Sequence, residues 1–493
     1  MQPKPHFPSP ANTSKGERER EPTLAAVERK KLSALMQEVS GSQMLPASPD
    51  HELDASFPNV HLSRIAFGSC HSRGAVNKRL SIYPNNNITI WDAIAATVQP
   101  QTFLWTGDAV YAPMEVKGDT PLDTLKNEFH EMKTNTTLGY ANFIQNKMLE
   151  GGVHGTWDDH DYGGNDRGYE LKGKVERRDA YFEFLGVKRS KYNNNRQGVY
   201  SSVEFGQQPN QVKVIFLDTR YNRSKHCIPS VGSNPFVPQG AIFACLTRLI
   251  TAGLNLCTND GEVLGEEQWA WLERELKEST ASIHIIVSSI QVLTTNAVVE
   301  SWGHFPIERE RLLTLINPLS GLVLLSGDVH HAEISTTKHV NNNSKTSSTT
   351  DGAIIEVTSS GLTHSCDGGW YGPWCKPILD HFPKHRFQGG SVASNTDPSY
   401  FTKKNFGSIS IDWTTRKFYV KVHNESGQVV LNTGELEIDA SANLSGSELD
   451  AVYKCIDGHF LHLQNMAAVI IIGLVFHHFL MKRRRTLKRT KID

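Results

Sequence analysis

The sequence predicts an α/β protein whose sheets are covered by helices. Short apolar runs recur along much of the 493-residue chain, and several are uninterrupted, as strands buried on both faces require. Stretches with helical spacing alternate with them. Three of the runs end in knots of acidic residues and histidine, where a strand hands over to a loop. In chain order, strands are expected at Ser63 to Phe67, Thr102 to Thr106 and Val153 to Trp157. A helix follows at Asp179 to Leu185, with Arg177 and Arg178 before it, and then a strand at Gln211 to Leu217. Glu266 to Lys277 reads as a helix because Trp269, Leu272 and Leu276 share one face behind Gly265. Further strands are expected at Ile283 to Ser288, Gly321 to Leu325, Ala353 to Thr358, Gly407 to Asp412 and Lys417 to Val422. Ser224 to Glu262 reads as a cysteine-containing insertion, and polar Asn341 to Thr350 as a loop.

The length suits one large core with terminal extensions. The formal net charge of -1 gives no support to nucleic-acid binding beyond a possible substrate role. Residues 1–55 form a charged, Pro-rich extension without a secretory apolar region, and Leu24 to Val39 reads as an amphipathic helix. From Met466 to Met481 the chain is nearly all apolar, and including Phe460 it approaches the ~20 residues of a bilayer span. A transmembrane helix is therefore expected at 460–481. The basic tail at 482–493, with Lys482, Arg483, Arg484 and Arg485 first, puts that tail in the cytosol and the large domain in the lumen or outside. The charged opening leaves a tail-anchored, cytosol-facing orientation as the alternative. A buried C-terminal helix is the bland one.

Apart from Cys70, the cysteines are Cys227, Cys245, Cys257, Cys366, Cys375 and Cys455, an even set that suits an oxidising compartment. The nearest candidate pairs are Cys366 with Cys375, and Cys227 with Cys245 or Cys257. Glycosylation sequons at Asn12, Asn87, Asn135, Asn222, Asn342, Asn424 and Asn443 suit a glycoprotein ectodomain.

The chemistry sits at the strand ends. Gly107-Asp108 closes one apolar run, so a carboxylate can turn back over a sheet edge, and Tyr111 offers a phenolic oxygen suited to a hard trivalent ion. Trp157-Asp158-Asp159-His160-Asp161 with Asn165 and Asp166 is far denser in ligand atoms. Ser326-Gly327-Asp328-Val329-His330 places Asp328 and His330 two apart, on one face if the segment is extended, while His331 points the other way. Cys70, in Gly68-Ser69-Cys70, adds a thiolate. A metal-dependent hydrolase is the leading reading, with a solvated acidic loop and a buried core histidine as the plain alternatives.

The order Gly-Ser-Cys, Gly-Asp-x-x-Tyr, Trp-Asp-Asp-His-Asp, Leu217-Asp218-Thr219-Arg220 and Ser-Gly-Asp-Val-His resembles the alkaline phosphatase D (PhoD-like) metallophosphoesterases, particularly eukaryotic membrane-anchored members. The likeness runs from about Arg64 to Val422 and takes in Ser288 to Val292, Glu300 to Gly303 and Thr358 to Thr363. It implies an αββα sandwich over 60–440 carrying iron(III) and calcium. By motif, Cys70, Asp108, Tyr111 and His330 look like iron-side ligands; Asp108 looks like the bridge, and Asp158, Asn165 and Asp328 like calcium-side ligands. The split between Asp158 and Asp159 stays open. The resemblance implies hydrolysis of phosphodiester or phosphomonoester bonds by hydroxide attack, that is, an alkaline phosphatase or phosphodiesterase acting on a phosphate ester. His160 is the candidate general acid or orienting group, and Arg220 the candidate grip on the substrate phosphate, unless it only pairs with a carboxylate. A nuclease or lipid phosphodiesterase with the same centre, and a catalytically silent membrane-anchored receptor or scaffold, are the alternatives.

Overall fold

Strands outnumber the sequence expectation because two buried strands are polar and four others are short, of two to four residues. A computed structural model describes residues 55–82, 89–113, 119–187, 196–226, 248, 250, 261–294, 296–337, 352–368, 372–381, 386 and 399–453. The strands are β1 (Ala55–Phe57), β2 (Arg64–Gly68), β3 (Thr102–Thr106), β4 (Val153–Thr156), β5 (Ser201–Phe205), β6 (Val212–Leu217), β7 (Ile283–Ser288), β8 (Leu322–Ser326), β9 (Ala332–Thr336), β10 (Ile355–Ser359), β11 (Tyr400–Phe401), β12 (Asn405–Asp412), β13 (Lys417–Asn424), β14 (Val429–Asn432) and β15 (Leu436–Glu437). Every expected strand is present within two residues of its expected start and end. β5 and β9 escaped notice: their sequences, SSVEF and AEIST, break the apolar run with polar side chains that burial tolerates only when paired. Glu333 in β9, for example, is buried against His331 and Arg386.

Two sheets result. One runs β1-β5-β6-β7-β8-β10-β9-β11; the other runs β14-β13-β12-β2-β3-β4, with β15 on β13. β2, β3 and β4 are mutually parallel, with Phe67 opposite Leu104, and Leu104 opposite His154. In the other sheet β6, β7, β8 and β10 are parallel, with Ile286 opposite Leu324. Parallel strands bring all their C-terminal ends to one edge of each sheet, which is what gathers distant motifs.

Strand alternation sorts the side chains into three cores. Ile65, Phe67 and Leu104 of one sheet meet Val214, Phe216, Ile285, Val287 and Val357 of the other, so the sheets pack face to face. The alternate residues Ala66, Phe103 and Trp105 point outward under helices Ile90–Thr97, Leu122–Thr134 and Lys174–Leu185, through Trp91, Leu125, Phe129 and Tyr181. Ile215, Leu217, Ile286 and Leu324 do the same under helices Glu266–Glu278 and Pro306–Ile316. Helices therefore cover both outer faces.

Cys366 and Cys375 form a disulfide, and Cys70 is a buried free thiol. Cys227, Cys245, Cys257 and Cys455, the loop at Asn341 to Thr350 and the extension before Ala55 lie outside the described residues, as does most of the expected insertion. The expected C-terminal transmembrane helix requires correction. Among the described residues no helix is long and apolar enough to cross a membrane. Residues 460–481 themselves fall outside the described part, and their nearly all-apolar stretch, Met466 to Met481, is interrupted by His477 and His478 and is shorter than the ~20 residues a span needs. The single-pass placement built on that helix is withdrawn with it.

Candidate metal centre

Seven strand ends converge on one site. β2 leads to Cys70, β3 to Asp108, β4 to Asp158, β6 to Arg220, β7 to Ser289, β8 to Asp328 and β10 to Ser360. The two sheet edges nearly touch there, since a Cβ on Gly327 would stand 2.4 Å from the Thr106 carbonyl oxygen and 2.6 Å from Ser69 Oγ. Only glycine permits that approach.

Cys70, Asp108, Asp328 and His330 all adopt left-handed backbone conformations, with φ of 63°, 51°, 69° and 58°. Such φ values are costly for residues with a Cβ, and they concentrate here because the turns must swing ligand atoms inward. The 328–330 segment is thus not extended, which corrects the expected reason for pairing Asp328 with His330. Both side chains reach the site, but on opposite flanks of Asp108.

Asp108 is the hinge of the arrangement. Its Oδ2 lies 3.6 Å from Cys70 Sγ and accepts the Tyr111 hydroxyl at 2.6 Å, and that hydroxyl is 2.9 Å from His330 Nε2. Its Oδ1 accepts the His160 backbone N–H at 3.3 Å. Cys70, Asp108 and His330 bring one ligand atom each within 4.8 Å of one another, and so do Asp108, Asp158, Asp159 and Asp328. The first group offers sulfur, nitrogen and phenolic oxygen nearby; the second offers carboxylate oxygen alone, a hard donor set.

Burial, then repulsion from Asp159, Asp158, Asp161 and Asp328, pushes the Asp108 carboxyl well above the usual carboxylate range. Asp328 is raised for the same reasons, and Asp158 is lifted to about 7, chiefly by burial and against the pull of Arg220. Burial likewise raises the Cys70 thiol and the Tyr111 phenol and lowers His330 to about 4. Asp158 Oδ2 and Asp159 Oδ1 are buried without a hydrogen-bond partner among the described residues. Crowded carboxylates with unsatisfied oxygens fit cations, whose charge would relieve both costs.

Asp161 holds the Asp108 turn: its carboxylate accepts the backbone N–H groups of Ala109 at 3.1 Å and Val110 at 3.0 Å. His160 lies half-buried with its ring 4.0 Å from that of Tyr111 and its Nε2 4.0 Å from Asp159 Oδ1. Asn165 is half-buried in the loop that follows, just before Asp166, whose backbone N–H donates to Asp159 Oδ2 at 2.8 Å.

Arg220 is paired with carboxylates at the site. Its side chain has 0% exposure and pairs through Nε with Asp158 at 2.6 Å and through Nη1 with Glu300 at 2.9 Å. Glu300 in turn pairs with Arg223 and His226, each at 3.1 Å. These pairs match the carboxylate alternative, while Nη2 of the same guanidinium is buried without a hydrogen-bond partner among the described residues. Four residues near the centre carried no assigned role in the sequence reading. Ser289 donates to Asp158 Oδ1 at 2.7 Å, and Ser360 Oγ lies 3.0 Å from Cys70 Sγ. Asp161 could have been found from its capping position three residues after Asp158. His364, with Nε2 3.2 Å from His330 Nε2, sits just past the Thr358 to Thr363 stretch and carries no motif of its own.

A family model described as PhoD-like phosphatase matches residues 80–422. A solved structure described as the structure of PhoD is 17% identical over 84% of this chain and 79% of that one, with a TM-score of 0.43. No curated protein matches the chain.

Proposed function

Because the chain belongs to the PhoD-like phosphatase family, we propose that it hydrolyses phosphate esters at the cluster centred on Asp108. The observation that carries this reading is the position of Asp108, shared between a mixed thiol–imidazole group and an all-carboxylate group. Two adjacent donor sets of different character suit two different cations bridged by one carboxylate. In this reading Cys70, Asp108, Tyr111 and His330 hold iron(III), and Asp108, Asp158, Asp328 and Asn165 hold calcium, with Asp159 added to the calcium side. Bound there, the two cations would supply Lewis acidity toward the phosphoryl oxygens and would lower the pKa of water.

The chain's own residues do the rest. Arg220 and Ser289 occupy Asp158 Oδ1, which leaves Oδ2 as the oxygen turned to the cluster. Arg220 thereby positions Asp158. Asp161 clamps the turn that presents Asp108. His160, half-buried beside Tyr111 and Asp159, is placed to orient water; burial favours its neutral imidazole by lowering its pKa, so it hands a proton to the departing alkoxide oxygen only after first taking one up.

Purified full-length protein supplied with iron(III) and calcium should hydrolyse a chromogenic phosphodiester or the matching monoester. Asp108→Asn should lose that turnover and keep its circular dichroism. Absence of turnover from folded, cation-loaded protein would defeat the reading and bring the silent scaffold forward.

A further inference from the structure

The segment that leaves β10, Ser360 to His364, is fastened to the centre along its length. Ser360 Oγ accepts the His330 backbone N–H at 2.8 Å. The Leu362 and Thr363 backbone N–H groups donate to the carbonyls of Ser69 and Cys70 at 3.1 and 3.3 Å, and the Asn405 backbone N–H donates to the Gly361 carbonyl at 2.9 Å. Thr363 Oγ1 accepts the Ser72 backbone N–H at 2.7 Å. His364 is thereby held in the same frame as Cys70 and His330. Its ring meets that of Tyr111 edge to face at 4.7 Å and that of His330 at 4.4 Å, and its Nε2 stops 3.2 Å from His330 Nε2. Like Tyr111, Asp328 and His330 it is half-buried, whereas Cys70, Asp108 and Asp158 are buried, so it stands on the side of the centre that opens to solvent. It is not among the described residues whose ligand atoms gather within 4.8 Å of one another, which on this side are Cys70, Asp108 and His330.

Two facing imidazole nitrogens share one proton, so one donates and the other accepts. His330 Nε2 lies 2.9 Å from the Tyr111 hydroxyl, which makes it the nitrogen that a cation on this side would take. With that lone pair given to a cation, His330 no longer accepts, and the His364 Nε2–H is left in front of the centre without its acceptor. We propose that His364 is a substrate contact, its Nε2–H donating to an oxygen of the phosphoryl group that comes to rest beside His330. The proposal rests on the phosphoesterase reading above and gives the phosphate a protein partner on the open side of the centre. Cys70, Asp108, Asp158 and Asp328 offer an anion no strong donor, so a fixed N–H supplies what the ligand set lacks.

Calorimetric titration of the cation-loaded full chain with inorganic phosphate tests the contact without relying on turnover, read beside the iron and calcium that each variant retains. His364→Ala should bind phosphate roughly tenfold to a hundredfold more weakly than the wild type, the loss of one hydrogen bond to a charged oxygen, and should keep its cations. His364→Gln, which retains an N–H donor, should recover part of that affinity, a rescue that a merely structural role does not predict. Unchanged phosphate affinity in His364→Ala, or a His364→Gln variant as weak as His364→Ala, would overturn the contact and leave the phosphoesterase reading standing. Loss of the cations from His364→Ala would overturn it in favour of a ligand role. A wild type that holds its cations and binds no phosphate would remove the phosphoesterase reading and the contact with it.

Discussion

Asp108 makes hydrogen bonds with both carboxylate oxygens, to Tyr111 and to the His160 backbone, so Asp108→Asn keeps much of its geometry while losing the charge. Turnover should therefore fall by at least about 10³-fold with little change in the cation-free melting temperature, the expected loss when a charge that organises the reaction is removed. Arg220 behaves differently. Arg220→Gln leaves Asp158 and Glu300 buried with a cation missing between them, and denaturant unfolding should show a loss of roughly 3–5 kcal/mol. A stability loss larger than the affinity change for phosphate would distinguish positioning from substrate contact. Glu333 gives the pH dependence. Burial alone would raise its pKa, but His331 and Arg386 hold it down to about 2 against an ordinary 4.5. A folded-state pKa below the unfolded one contributes stability above about 4.5 that is lost as pH falls through 2. Chemical denaturation between pH 5 and 2 should show a fall on the order of 3 kcal/mol from this group, and Glu333→Gln should flatten it.

At the scale of elements, the turn after β3 concentrates the constraint. Gly107 has a φ of 100°, and an added Cβ would stand 2.6 Å from Asp158 Cβ. Gly107→Ala should cost about 2 kcal/mol or more in thermal unfolding, and it should also weaken cation binding, because relief can come only by pushing the β3 and β4 turns apart. How much of this was legible depends on the signal each element carries. β3 and β7 read directly because Phe103-Leu104-Trp105 and Ile283 to Val287 are unbroken apolar runs. Lys417 to Val422 needed only its last two residues added. Helix Ile90–Thr97 announced itself less, although Thr89 and Asp92 form a capping box at its start. Among site residues, those inside dense motifs, Asp108, Asp158, Asp328 and His330, were named from sequence and do lie together. The burial of Arg220 was not legible, because Glu300, its second partner, lies 80 residues away and meets it only through the fold. The same holds for His364, which stands by His330 because β10 runs parallel to β8.

For the molecule as a whole, the centre is where two sheets are joined, so cation binding and folding are expected to be linked. If the site takes its cations only in the folded state, adding them at about 100 times their dissociation constant should raise unfolding free energy by ~2.7 kcal/mol, and a chelator should reverse the gain. Calorimetric melting with and without chelator measures it, and Asp108→Asn should show no response. The disulfide has a further consequence. The backbone N–H of Cys366 donates to the His330 carbonyl at 2.7 Å, so the Cys366–Cys375 crosslink steadies the loop that backs one flank of the centre. On the same flank Cys70 is a free thiol, and the proposed ligand role requires that it stay reduced. The two sulfur chemistries make opposite demands on handling: a strong dithiol reductant that protects Cys70 opens the crosslink, and an oxidant that preserves the crosslink endangers Cys70. Purified material should hold its cations best under mild, intermediate thiol buffering, with losses at both extremes.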